Sequence, residues 1–474
     1  MSYKKIDAVV VGSGPNGLAA AIVLQQQGAQ VLLIEGKDTI GGGMRTKELT
    51  LPGFRHDVCS AIHPMAAATP FFKSLPLTDF GLRYLHPEVL AAHPFPEGDE
   101  AAVLLHSMNE TAERLGKDAH RYRALIEPIV RDWDKLAPDF LAPLQIPRHP
   151  FSLAAFGFKA LQPARFLGSS FRERETKGLW AGMAAHGIQP LENLATSAIA
   201  LVLMAAGHRS GWPVLEGGSQ ALADALGGYF TSLGGVIQTG TMVRSLADLP
   251  QARAWVFDLG PRQLLQLAGD RFSSLYRWQL GRYRYGMGVF KMDFALDRPI
   301  PWKSVEARRA GTVHLGGTLE AISYAERVIW KGQYPEHPYV LVAQQSLLDS
   351  TRAPEGKHTA WAYCHVPFGS TKDISSAIEN EIEDYAPGFR ELILAKHSMN
   401  SADMEGYNPN YVGGDINAGV QDITQIFTRP ALRVSPYRTS AKGIYVCSSS
   451  TPPGGGVHGM CGYHAARQVI KDLF

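Results

Sequence analysis

The chain has 474 residues, 45% of them hydrophobic and 19% charged, which supplies core for two or three domains and excludes disorder as the main state. Forty-six Lys and Arg against 44 Asp and Glu leave a net charge of +2, so no global field draws the protein to nucleic acid or an anionic membrane. Glycine is high, 48 residues or about 10% against an average of about 7%, and much of it is clustered.

The first residues, MSYKKIDAVVVG, run from two lysines directly into an apolar stretch, with no room for the apolar region and cleavage site of a signal peptide. Residues 6–12 (IDAVVVG) read as a strand buried on both faces. Next come Gly12-Ser-Gly14-Pro15-Asn16-Gly17, a helical stretch closed by Gly28, and a second strand over 30–34 that ends at Glu35. This β-α-β unit of about 30 residues belongs to a parallel sheet. From about 71 to 211 the pattern predicts an inserted, mainly helical region, including a long helical stretch over 110–136. Its apolar run 194–207 (LATSAIALVLMAAG) is 14 residues, shorter than the roughly 20 a spanning helix needs, and reads as a buried helix. After Gly217-Gly218 the pattern predicts a helix, a strand (GVIQT) and a strand over 254–260 (AWVFDLG). Segments 288–297 (GVFKMDFALD) and 338–345 (PYVLVAQQ) alternate like half-exposed antiparallel strands, implying a second, sheet-containing domain. A strand (GIYVCSS), a glycine-rich turn and a helix close the chain.

Cys59, Cys364, Cys447 and Cys461 form no C-x-x-C pair and show no metal spacing, which fits a reducing, cytoplasmic setting, implies no metal site and excludes disulfide-reductase chemistry. Gly454-Gly455-Gly456-Val457-His458-Gly459 also fits G-x-G-x-x-G, but the chain ends 15 residues later with no second strand or ribose carboxylate, so one dinucleotide site is expected. In that site Gly12 allows the tight turn, Gly14 lets a pyrophosphate approach the backbone, and Gly17 lets helix and strand pack closely. The helix start at Pro15 and Asn16 offers unpaired N–H groups and a positive dipole end, and Glu35 accepts from a ribose diol. The motif alone does not choose between FAD and NAD. The cluster Gly41-Gly42-Gly43-Met44-Arg45 begins six residues after Glu35, too soon for another strand and helix, so it should fold back beside the first turn and offer N–H groups and a cation to a pyrophosphate.

Glu35 with this glycine cluster, then LPGFRHDVCSAIHP (51–64), resembles the phytoene desaturase-related flavoproteins, a branch of the flavin amine oxidase superfamily that includes carotenoid desaturases and isomerases and the pyridine nucleotide-disulphide oxidoreductase domain proteins. The similarity recurs at 211–226, 411–419 and 437–470 and so spans nearly the whole chain. It implies an α/β fold: a Rossmann-type FAD-binding domain, discontinuous in sequence (1–70, 212–265 and 430–474), with an interleaved α+β substrate domain (71–211 and 266–429). It places Ser449, Ser450, Gly455, Gly456, Val457 and Met460 along the ribityl chain and flavin ring, and Val243 against the adenine end through its backbone. The family's usual arginine after the paired glycines is here Gly43, with Arg45 two positions on.

A flavin carries the hard step itself, so few catalytic side chains are needed. The resemblance puts His63 near the ring, where the other reading is a hydrogen-bonded loop histidine, and His458 near the pyrimidine edge. His56 and Asp57 either fix that loop or touch substrate. His186, Asp415 and Arg429 stand as substrate-side candidates, each with a structural alternative. The implied reaction is removal of hydride from a C–H bond of an apolar, isoprenoid- or carotenoid-like substrate, with dioxygen or a quinone as acceptor. An amine or porphyrinogen-type oxidase and a non-catalytic flavin-fold assembly protein are the alternatives. Segment 140–174 mixes apolar and aromatic residues with Arg148, Lys159, Arg165, Arg172 and Arg174, suiting either peripheral contact with a membrane or a helical lid.

Overall fold

A computed structural model describes residues 6–474; the expectation drawn from Lys4 and Lys5 lies outside them. Two sheets organise these residues. The first is a five-stranded parallel sheet in the order Ile444–Val446, Ala254–Phe257, Ala8–Val11, Val31–Ile34, Val236–Gln238. The two-residue alternation of its central strands sends Ala8, Val10, Val31 and Leu33 into one apolar core and Val9, Val11, Leu32 and Ile34 into another, which is why these strands read as unbroken apolar runs. Helices Pro15–Gln26, Gln220–Ser232 and Met460–Leu473 form the first of these layers. A Cβ on Gly462 would lie 1.8 Å from the Asn16 carbonyl oxygen, so the first and last of these helices meet backbone to backbone. Helices Pro261–Ala268 and Ser274–Gly281 cover the other face.

The second sheet has seven strands, in the order Ile393–Met399, Gly288–Leu296, His358–Val366, Val340–Ala343, Ala310–Leu315, Val89–Pro94, Ala101–Leu104. Every pairing is antiparallel except that of Ala310–Leu315 with Val89–Pro94. Helix Ser375–Tyr385 packs Ile378, Ile382 and Tyr385 on one face. The molecule is thus α/β, with one Rossmann-type parallel sheet and one mixed sheet interleaved with it along the chain.

Several sequence expectations change here. The region 71–211 is not purely helical: the hairpin Val89–Pro94 and Ala101–Leu104 forms one edge of the mixed sheet. The long helical stretch over 110–136 breaks into Met108–Arg114, Ala119–Arg131 and Trp133–Phe140. The buried helix starts at Ser197 rather than Leu194, after Ala195 adopts a positive φ of 69°, and runs to Ser210. Strands Gly288–Leu296 and Val340–Ala343 are buried on both faces, not half exposed. Their polar positions are accommodated by pairing within the protein: Lys291 and Asp293 form a buried ion pair, with His56 and His397 beside the Asp293 carboxylate. All four cysteines are free. Among the described residues no helix is long and apolar enough to cross a membrane.

Candidate functional site

One cavity of about 650 Å³ runs from the first glycine turn to the mixed sheet. The turn at its floor is built by contacts that admit no side chain. A Cβ on Gly17 would sit 1.9 Å from the Gly12 carbonyl oxygen, and one on Gly14 would sit 2.7 Å from an Asp258 carboxylate oxygen. Helix Pro15–Gln26 starts there with Pro at its first position and no side-chain cap, leaving its N-terminal end facing the cavity. The second glycine cluster folds back onto the first. The Gly41 N–H donates to the Ser13 carbonyl at 3.0 Å, and a Cβ on Gly42 would lie 2.9 Å from the Gly14 Cα. Gly456 and Val457 of the C-terminal turn reach the same wall, together with Ser449, whose hydroxyl accepts from the Asn16 amide.

Glu35 ends its strand on this wall, accepting from the Ser13 N–H at 3.0 Å and the Lys37 N–H at 2.9 Å. Val243 lines the wall nearby with Thr241 and Met242. Arg45 also lines it, but its guanidinium is engaged. It donates to the carbonyls of Thr39 and Gly42 and pairs with Glu35 at 3.2 Å, so it braces the loop instead of standing free as a phosphate cation. The absent arginine after the paired glycines has a counterpart: the Tyr411 hydroxyl fills the space beside Gly43, 2.4 Å from where a Cβ would stand.

Asp258, a residue the motif search missed, lies under the turn and accepts from the Gly17 N–H at 3.0 Å. Burial pushes its carboxyl up to about 7, with the nearby Glu35 charge adding to the effect. An acid closing the parallel strand Ala254–Phe257, AWVFD, is its visible signal.

At the far end His63 lines the wall. Its Nε2 is 2.7 Å from the Ser219 hydroxyl, and its Nδ1 is buried without a partner. His56 and Asp57 fix the loop: His56 meets Thr50, and Asp57 pairs with Arg352 at 2.9 Å and accepts from the Ser219 N–H. His186 is on the cavity wall, its Nε2 3.0 Å from the His314 Nε2 and its ring edge-on to Trp212. Burial lowers His63 to about 4 and His186 to about 3, so both are neutral near pH 7. Leu203, Trp212, Leu341, Trp361 and Tyr363 complete this end, the last two in an edge-to-face pair with centroids 5.0 Å apart.

Other expected residues stand behind the wall. Asp415 accepts from the N–H groups of Gly286, Asn417 and Gly419, and Arg429 donates to the Ser449 carbonyl, so both organise loops and neither contacts the cavity. His458 accepts the Met460 N–H through Nδ1 at the start of the last helix. Ser450 donates to the Ala418 carbonyl, Gly455 packs on Asn417, and Met44 and Met460 are core. Gly17 and Gly41 shape the turns from beneath.

Residues 10–75 match the NAD(P)-binding Rossmann-like domain family. Pyridine nucleotide-disulfide oxidoreductase domain-containing protein 2 of Rattus norvegicus is 26% identical over 546 residues, spanning 98% of this chain and 94% of that protein. The neurosporene-forming phytoene desaturase of Rhodobacter capsulatus is 24% identical over 98% of this chain and 94% of its own length. The structure of putrescine oxidase bound to putrescine superposes with a TM-score of 0.61 at 16% identity, covering 99% of both chains. The fold is the one seen in the putrescine oxidase structure. The resemblance read in the sequence holds along nearly the whole chain, and an oxidoreductase with a flavin-type dinucleotide site is the activity class these relatives support.

Proposed function

We propose that the protein is an FAD-dependent dehydrogenase that removes hydride from a C–H bond of a neutral, apolar, isoprenoid-like substrate. One observation carries this reading. All five charged residues on the cavity wall, Glu35, Lys37, Arg45, Arg244 and Asp258, belong to the nucleotide end, while the far end presents apolar and aromatic side chains and neutral histidines. A buried charge on the substrate would go uncompensated there.

The residues fit the cofactor: the two glycine turns clear space for a pyrophosphate, Glu35 suits a ribose diol, Val243 suits an adenine edge, and Ser449, Gly456 and Val457 suit a ribityl chain. Bound FAD supplies the two-electron acceptor. The apolar wall from Leu203 to Tyr363 holds the substrate and excludes water. When a double bond forms, the hydride would go to FAD, if bound, and the neighbouring carbon's proton would need a base on the protein. His186 is the candidate base: where its Nε2–H donates to His314, Nδ1 carries the free lone pair. Dioxygen or a quinone would be the terminal acceptor.

An amine-oxidising reading is favoured by the Trp361–Tyr363 pair, whose faces suit an alkylammonium group. Anaerobic mixing with a polyene hydrocarbon and, separately, with alkyl amines distinguishes the two. Flavin bleaching by the hydrocarbon is the expected result, bleaching by amines alone overturns it, and a purified protein that takes up no FAD overturns both enzymatic readings.

A further inference from the structure

Helix Pro150–Ala160 (PFSLAAFGFKA) is apolar apart from Ser152 and Lys159. Phe156 and Ala160 are buried, and the Phe156 ring packs 5.6 Å from that of Phe140. The opposite side, Phe151, Ala154, Ala155 and Phe158, repeats at helical spacing and is open to solvent, with Phe151 89% and Phe158 77% exposed. The helix carries one charge, Lys159, whose ammonium donates to the Ala124 carbonyl. Just before the helix in the chain, Ile146 and Leu144 are also exposed, at 94% and 73%.

Leu144 lies in a shallow depression with Val434, Arg467 and Lys471, so the fold brings a second chain segment and the last helix to the same face. The His464 ring meets the Leu141 carbonyl at 3.0 Å and ties that helix to the segment. Among the described residues Arg148, Arg467 and Lys471 are exposed and have no carboxylate partner. The bases named from sequence are largely engaged: Arg165 pairs with Glu192, and Arg174 with Glu175 and Glu97. Arg172 is likewise exposed without a carboxylate partner, so the free positive charge is shared between the 140–174 segment and the last helix.

We propose that this face is a peripheral docking surface for an anionic lipid bilayer, with Phe151, Phe158 and Ile146 entering the acyl boundary and Arg148, Arg467 and Lys471 meeting phosphate headgroups. Large aromatic and aliphatic anchors ringed by unpaired cations, on an element too short to span, suit a helix lying in the interface plane. The exposed helix packs on Ser197–Ser210, whose Leu203 lines the cavity, so the docked face is one helix layer from the substrate end.

The test is flotation of the full-length protein with vesicles of phosphatidylcholine containing about one third phosphatidylglycerol. The wild type is expected to float, to float less with phosphatidylcholine alone, and to be partly released by about 1 M salt. A Phe151→Ser, Phe158→Ser double variant should lose at least about tenfold of the bound fraction with unchanged melting temperature. An Arg467→Gln, Lys471→Gln variant should lose the preference for anionic vesicles. Wild-type protein that stays with the soluble fraction overturns the proposal, as does a double variant that floats like wild type. A dimer in solution that the double variant abolishes, without vesicle binding, assigns the face to a second copy instead. None of these readouts depends on flavin or turnover, so the docking surface and the dehydrogenase reading fail separately.

Discussion

Around the Gly12–Gly17 turn the cavity wall carries five charged side chains and close-packed backbone; the turn, Glu35 and Lys37 come from one contiguous stretch, and Arg45, Arg244 and Asp258 come from beyond it. At the opposite end the wall is apolar, and its residues come from strands Ala310–Leu315, Val340–Ala343 and His358–Val366 together with the loop carrying His63 and the helices carrying Leu203 and neighbouring His186. The first end is shaped by close-packed backbone that tolerates no added atoms at Gly14 and Gly17, which on the proposed reading suits a polar, anionic cofactor. The second selects by shape and by the absence of charge, which many apolar side chains can provide. On the proposed reading, cofactor recognition would be rigid and set largely by backbone, while substrate choice would be distributed over the second sheet.

The sharpest way to break this contrast is at Gly17. Gly17→Ala puts a methyl 1.9 Å from a backbone oxygen, and the expected outcome is protein that purifies without flavin or does not fold, read by absorbance and thermal melting. A flavin-replete variant with normal stability would refute the rigid reading of that end. At the other end Trp361→Ala removes a buried ring; about 3 kcal/mol of stability should be lost with flavin content preserved at one per chain, and apolar substrate should bind more weakly. Loss of flavin from that variant would show that the two ends are not separable.

A smaller effect is expected from pH. Asp258, lifted to about 7 mainly by burial, holds its proton in the folded protein between its unfolded value of about 4 and about 7. The folded state binds more protons than the unfolded one in that window, so this carboxyl's contribution to stability declines as pH rises through it. Its negative charge then also faces any pyrophosphate over the turn. Flavin affinity is expected to weaken by up to about tenfold from pH 6 to pH 8.5, and Asp258→Asn should flatten that dependence in a titration of flavin fluorescence. The histidines act with the opposite sign. His63, near 4, and His186, near 3, bind fewer protons folded than unfolded below about pH 6.5, so stability falls as pH drops below that value, and replacing His63 by Asn should reduce the slope in pH-dependent melting.

The nucleotide end was legible because its chemistry is local. Gly12, Gly14, Gly17, Glu35 and the returning Gly41–Gly43 cluster lie within 32 residues, and their spacing alone requires the turn, the helix start and the fold-back. Asp258 was readable as the acid ending a strand, but its partner Gly17 lies 241 residues away, so no spacing rule pointed to it. The candidates that moved behind the wall, His458, Asp415 and Arg429, are buried polar groups whose alternatives were equal in sequence: each can bond to loop backbone as well as to a ligand, although Arg429 does so here only through Nη2, with Nε and Nη1 buried and unpartnered. The alternation in GVFKMDFALD was read as a solvent face because the sequence does not show that Lys291 and Asp293, two residues apart on one side of a strand, are covered and pair with each other.

By itself, then, the sequence determined a parallel α/β nucleotide half, because hydrophobic period and glycine spacing act between neighbours. Only the tertiary structure decided the other half. Strand pairing brings Thr312, Leu341, Trp361 and Tyr363 onto one wall, and packing between distant segments seats Leu144 beside Val434 and Arg467; each of these juxtapositions depends on contacts between segments whose separation along the chain carries no periodic signal.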